Sequence, residues 1–368
     1  MKTKTLIGAA AALALAAAGA AQAAVRYTLT DLGVLGGSSS IGQSVNNAGQ
    51  VTGYSTIASA AGLHAFLYSG GMMSDLGTLG GVGSYGYGIN DAGQVTGYSY
   101  APGNLAVHAF LYSGGAMSDL GTLGGVDSYG AGINNAGQVA GVSTISGGSA
   151  THAFLYSGGA MSDLGTLGGS QSAAAGINDA GQVTGLSDTT GDGTVRAFLY
   201  SGGAMSDLGA LDGGSSNGAD VNNAGQVTGT SSVQGGLHAF LYSGGTMSDL
   251  GTLGGTYSYG EGLNDAGQVT GTSYITGDSA FHAFLYSGGA IIDLNDLIDP
   301  LAGWGLVDAK GINNRGQITG YGLLGDDYRA FLLTPLSTAP EPATWAMMLA
   351  GLALTGLALR RRPRPRRA

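Results

Sequence analysis

One sentence of sequence is written seven times along this chain. Its first phrase reads Gly-Ile-Asn-Asp-Ala-Gly-Gln-Val-Thr-Gly, and its second His-Ala-Phe-Leu-Tyr-Ser-Gly-Gly-Ala-Met-Ser-Asp-Leu-Gly. The Ala-Phe-Leu landmark follows His64, His108, His152, Arg196, His238, His282 and Arg329. The Gln landmark recurs in step, at Gln50, Gln94, Gln138, Gln182, Gln226, Gln268 and Gln317, and successive landmarks lie 42 to 49 residues apart. A unit this short cannot bury a core by itself, so each copy must pack on its neighbours.

Glycine makes up 72 of the 368 residues, about three times ordinary usage (roughly 7%). With 43% hydrophobic residues in regular spacing, that glycine reads as many tight turns between short strands. In one unit, Gly86–Asn90 and Gln94–Tyr98 flank an Asp91-Ala92-Gly93 turn. His108–Ser113 and Ala116–Leu120 flank Gly114-Gly115, where a type I′ turn needs positive φ at both residues. The stretch from Gly121 to Tyr129 reads as a glycine-rich loop into the next unit. Four antiparallel strands in about 44 residues is the length of a β-propeller blade.

The ends choose between a ring and an open stack. Arg26–Leu32 carries an Asp-Leu strand with no Ala-Phe-Leu strand before it, and Arg329–Leu333 an Ala-Phe-Leu strand with no Asp-Leu strand after it. Pairing them completes one unit and removes two exposed sheet edges. The expected fold is therefore all-β: a seven-bladed propeller of four-stranded antiparallel blades, closed by N- and C-terminal strand pairing, over residues 24–336.

Residues 1–23 read as a secretory signal peptide: basic Lys2 and Lys4, a small-residue apolar core, and Ala21-Gln22-Ala23 as a cleavage site between Ala23 and Ala24. At the other end, a linker at 337–342 holds Pro340-Glu341-Pro342. An apolar segment at 343–359 follows, then an Arg-rich tail at 360–368. The segment is at the short end of what spans a bilayer, and Arg360, Arg361 and Arg362 would hold its end in the cytoplasm. This arrangement resembles the PEP-CTERM sorting signal of Gram-negative bacteria. The resemblance implies that an exosortase recognises Pro340, Glu341 and Pro342 and removes the tail; a permanent single-span anchor is the alternative.

The stretch from Ala24 to Pro342 holds only five basic residues against all 23 acidic ones, a balance that repels nucleic acid and anionic membranes. The absence of cysteine excludes disulfides, thiolate metal sites and a cysteine nucleophile. Ile89-Asn90-Asp91-Ala92-Gly93-Gln94-Val95-Thr96-Gly97, with His108-Ala109-Phe110-Leu111-Tyr112 and Asp119-Leu120-Gly121, resembles the HAF-repeat family of extracellular bacterial proteins. That resemblance assigns no chemistry.

No nucleophile elbow, zincin, Walker or dinucleotide motif is present, so no catalytic, cofactor-binding or metal residue is assigned. The repeated histidines are expected to be strand-start residues touching the next blade, and the Asp of Asp-Leu-Gly to brace a turn. The Asn pairs read as turn formers. Asp188 and Asp192 share a glycine-containing loop that resembles the opening of a calcium loop but lacks its regular series and closing Glu. The insertion Asn295–Trp304, with a short helical turn, either closes the ring or supports a site.

The expected function is a non-catalytic, exported cell-surface or extracellular protein without cofactors, met during export by signal peptidase and an exosortase. It would bind exopolysaccharide, matrix or a surface protein through the variable loops at 55–63, 99–107, 142–151, 187–195, 230–237 and 273–281. The alternative is an extracellular carbohydrate-active propeller enzyme, a lyase or glycosidase, with a unique acid such as Asp188 or Glu261.

Overall fold

The computed structural model describes residues 27–58, 62–148 and 150–336. The signal segment with Ala23 and Ala24, the Pro340–Pro342 motif, the apolar segment and Arg360–Arg362 lie outside the described residues. Among the described residues there are 28 β-strands, two short 3-10 turns and no α-helix. No helix there is long and apolar enough to cross a membrane.

The third unit shows how the repeat folds. Gly124–Ile133, Val139–Ile145, Thr151–Ser157 and Ala160–Asp163 pair in chain order, all antiparallel. The turn after the first strand is built by Asn134, whose Oδ1 accepts from the N–H groups of Ala136 (3.1 Å) and Gln138 (3.0 Å). Gly137 follows at φ +75°, a left-handed conformation that costs glycine nothing. Gly158 and Gly159, at φ +60° and +88°, make the tight turn expected between the third and fourth strands.

The glycine-rich stretch read as a loop is partly strand. Gly124 pairs with Ile145, and the register then slips before Ser128 pairs with Ser143. This bulge brings Gly125 so close to Thr144 that a Cβ would stand 2.3 Å from its Oγ1. The glycine is there for close approach as much as for turning.

The strands form five four-stranded sheets and one eight-stranded sheet. The eight-stranded sheet is two repeat units joined by one parallel pair, Leu237 with Tyr257. Cores lie between consecutive units: Ala109 and Leu120 of one pack against Ile133, Val139 and Phe154 of the next. The last and first units pack in the same way, through Ala330 and Leu332 against Val45, Val51 and Phe66, with Leu32 between them.

Tyr27–Asp31 lies beside Asp327–Pro335 in the sheet completed by Ile318–Leu324 and Trp304–Ile312. The Leu32 N–H donates to Ala330 O at 3.0 Å, just as Leu76 donates to Ala65 O and Leu120 to Ala109 O at 2.9 Å. The insertion becomes 3-10 turns at Leu294–Leu297 and Pro300–Ala302. Leu294 and Leu297 enter one core with Tyr27, Leu306 and Phe331, and Trp304 packs against it. Asn295 pins the segment to the backbone N–H (2.7 Å) and carbonyl (3.0 Å) of Leu306. The insertion therefore fills the core of the terminal sheet.

Candidate binding channel

The first strand of every unit ends in an Asn whose amide serves two units. Asn46 Oδ1 closes its own turn, and its Nδ2 donates to the carbonyl of Asn90 in the next unit at 2.9 Å. The same bond runs from Asn90 to Asn134, Asn178, Asn222, Asn264 and Asn313, at 2.9–3.2 Å. Asn313 then donates to Asn46 O at 2.8 Å, so the series closes on itself. All seven side chains are buried, and each needs its partners because an unpaired buried amide is costly. The repeated Gln sits beneath: Gln50 accepts from Asn46 through Oε1 and donates to Ser69 through Nε2.

A second, outer ring follows one residue later. Asn47, Asp91, Asn135, Asp179, Asn223, Asp265 and Asn314 each accept, through Oδ1, the backbone N–H of the preceding unit at 2.8–3.0 Å. Asn and Asp alternate, so each carboxylate stands between carboxamides that donate to it, as Asn135 and Asn223 do to Asp179. An odd number of places cannot alternate fully. The one Asn–Asn junction, Asn314 to Asn47, falls where the last unit meets the first.

These rings rim a cavity lined by residues of every unit, which continues inward between the first strands. Inside, the repeat breaks its own symmetry. One wall position is occupied in turn by Gln43, Tyr87, Ala131, Ala175, Ala219, Glu261 and Lys310. Three consecutive units thus present methyl groups, and the remaining wall is polar and charged. Asp220 adds a carboxylate where the neighbouring units carry Gly176 and Gly262.

Lys310 organises the charged side. Its ammonium lies 3.0 Å from Glu261 Oε1 and 2.8 Å from Asp308 Oδ2. Burial disfavours the ammonium, but Glu261 and then Asp308 outweigh it and raise the lysine above its usual range. Burial, with repulsion from Glu261, pushes the Asp308 carboxyl up to about 6 against the pull of Lys310. Asp308 Oδ1 has no hydrogen-bond partner.

Asp220 is also raised to about 6, chiefly by burial, although its oxygens accept from the N–H groups of Leu263 (2.9 Å) and Val221 (2.8 Å). A carboxyl whose folded pKa lies above its unfolded value contributes stability below the unfolded pKa, and loses it as pH rises through the folded one. Wild type should therefore lose about 2 kcal/mol relative to Asp220→Asn between pH 4 and pH 7. Urea unfolding of both proteins across that range checks this, and a constant difference contradicts it.

The histidines stand at strand starts, as the sequence predicts, and make a contact it did not announce. They pair inside their own unit: His64, His108, His152, His238 and His282 place Nδ1 2.5–2.9 Å from Asp75, Asp119, Asp163, Asp249 and Asp293. The third and fourth strands run antiparallel, which brings the start of one beside the end of the other. Each Asp also holds its turn as expected, as Asp119 accepts from Gly121 N at 2.7 Å. At the repeat position of the histidines, Arg196 donates to Gly213 O of the next unit at 2.7 Å. Arg329 meets Asp31 at 3.8 Å, joining the first and last strands of the described residues.

Asp188 and Asp192 take different places. Asp188 lies in a strand opposite Val195, while Asp192, at φ +54°, accepts from Ser170 N at 2.7 Å. Asn104 and Asp278 do the same to Val82 and Thr256 at equivalent places. Among the described residues no group of three or more His, Cys, Asp or Glu is arranged to hold a metal ion.

The variable loops join second to third strands, at the end of the channel away from the Asn rings. There the second and third units expose Val82, Leu105, Val126 and Tyr129. The patch is tied together by Val82 N to Asn104 (2.9 Å) and Val107 N to Asp127 (2.9 Å). Beside it, Tyr54, Tyr85, Tyr98 and Tyr129 pack in series with ring centroids 4.6–5.0 Å apart. Sequence reasoning missed the Asn rings and the uneven channel wall. The alternation of Asn-Asn with Asn-Asp turns was the visible signal for the outer ring.

Residues 338–362 match the PEP-CTERM protein-sorting motif. The match implies processing by an exosortase and export toward the cell surface. No curated protein matches the chain. Among solved structures, the chain is similar to the β-propeller domain of the Trilobed protease from Pyrococcus furiosus, described as having an open velcro topology. The two share 9% identity at a TM-score of 0.53, over 86% of this chain and all of that one. A gluconolactonase from Xanthomonas campestris matches at 9% identity and a TM-score of 0.40, over 86% and 93% of the two chains. TolB from Acinetobacter baumannii matches at 11% and 0.42, over 81% and 64%. The fold is propeller-like.

Proposed function

We propose that this chain is a seven-bladed propeller of the HAF-repeat kind, exported by its signal peptide and sorted by an exosortase, that binds an extracellular partner without catalysis. The sorting motif at 338–362 supports the destination. The observation that carries the binding role is the exposed patch of Val82, Leu105, Val126 and Tyr129 on the variable-loop face. Exposed apolar side chains gathered on one face mark interaction sites. The partner is a component of the matrix or envelope, an exopolysaccharide or a surface protein.

The test is adsorption of the surface-released protein to the producer's own exopolysaccharide and surface proteins. Leu105→Asp is expected to weaken it at least tenfold without lowering the melting temperature. Unchanged adsorption removes the loop face as the binding surface. Intact mass of the same material is expected to lack the segment after Pro340-Glu341-Pro342; retention of the Arg tail contradicts exosortase processing.

A second reading, an extracellular lyase or glycosidase, rests on the raised carboxyls of Asp220 and Asp308, since an acid poised near neutrality suits glycoside chemistry. Product release from a polysaccharide, abolished by Asp220→Asn, would select it.

A further inference from the structure

We propose that the channel interior is a second binding site, separate from the loop face, that takes a neutral polyhydroxylated ligand of about the size of one sugar ring. The cavity measures about 160 Å³, room for a small molecule and too little for a folded segment.

Its two walls differ in chemistry. Ala131, Ala175 and Ala219 present methyl groups, while Gln43, Tyr87, Glu261 and Lys310 present polar ones. This difference arises at one repeat position, while the core Phe, the Asn of the inner ring and the Gln beneath it occur in every unit. The neighbouring wall glycines have no such freedom. A Cβ on Gly262 would stand 2.9 Å from Gly311 Cα, and one on Gly176 2.9 Å from Asp220 Cα. Within the cavity lining, side-chain variety is thus greatest at this position.

The polar wall offers donors and acceptors together. Lys310 compensates charge on Glu261 and Asp308, and an ammonium has three N–H donors, of which these carboxylates take two. Among the described residues Glu261 is engaged only through Oε1, which leaves Oε2 to accept from a ligand, while Asp308 holds Lys310 from outside the cavity lining. Tyr87 and Gln43 each both donate and accept. A bare cation would meet Lys310 inside the site, and an anion the excess of carboxylates. A hydroxyl, which donates and accepts at once, suits the mixed wall, and the C–H face of a sugar ring suits the methyl wall.

The test uses the processed, full-length exported protein and saturation-transfer NMR with glucose, galactose and mannose as probes. At least one hexose is expected to bind, with Glu261→Gln weakening it at least tenfold. Ala175→Leu fills the opposite wall without touching the charged cluster, and is expected to abolish binding while the melting temperature stays within a few degrees. The proposal is overturned if no hexose binds, if Ala175→Leu leaves binding unchanged, or if spermidine or calcium displaces the hexose at equal concentration. Leu105→Asp on the loop face is expected to leave the hexose signal intact; its loss there would place the signal on the loop face and overturn the channel site.

Discussion

Phe154→Ala is expected to destabilise the whole body by about 3–5 kcal/mol, the usual cost of emptying a buried aromatic site. Phe154 is fully buried and belongs to two neighbours at once, packing with Ala109 and Leu120 of the preceding unit and with Ile133 and Val139 of its own. Gly141 leaves room for its ring: a Cβ there would lie 2.9 Å from Cζ. An open array of repeats distributes such damage locally, because each repeat answers only to its neighbours. In a closed ring every unit has two neighbours and no end from which to fray. Urea unfolding should therefore show one transition moved to lower denaturant, not a new early step. A separate early transition, or a cost under about 1 kcal/mol, contradicts that coupling.

Deleting Tyr27–Leu32 is expected to be worse. Tyr27 and Leu32 are both buried, and Leu32 lies in the core between the last and first units. Burying each such side chain is worth roughly 1.5–3 kcal/mol, and the deletion also strips a strand from the sheet holding Asp327–Pro335. That strand would then expose unpaired backbone, an invitation to edge pairing. The expected outcome is loss of cooperative unfolding together with association at micromolar concentration, read by melting curves and sedimentation. A monomer with wild-type stability would show that the N-terminal strand adds nothing to the body.

The repeat made strand number, the Gly-Gly turns and the partnership of the two chain ends legible, because those depend on local backbone chemistry and on counting. The His–Asp pairing was not seen, although His108 and Asp119 flank a hairpin already identified in the sequence. Working out that register would have placed them side by side. The strand at Gly124 was hidden because a bulge, with Gly125 against Thr144, looks in sequence like any glycine-rich loop. The channel was the least legible part. Glu261 and Lys310 come from consecutive units and Gln43 from the first unit, which packs on the last, so they meet only through contacts between units and no local pattern announces them. Lys310 in particular gave no sign that it would sit between Glu261 and Asp308.

The closed ring is tested most directly at one amide. Leu32 N–H donates to Ala330 O across the junction of the chain ends, in the geometry that Leu76 and Leu120 adopt toward Ala65 and Ala109 inside the chain. Hydrogen exchange resolved to single residues should give Leu32 protection within about tenfold of Leu76 and Leu120, since all three open only with the body. Exchange of Leu32 at the rate of a free peptide, while Leu76 and Leu120 stay protected, would show an open array and contradict the ring.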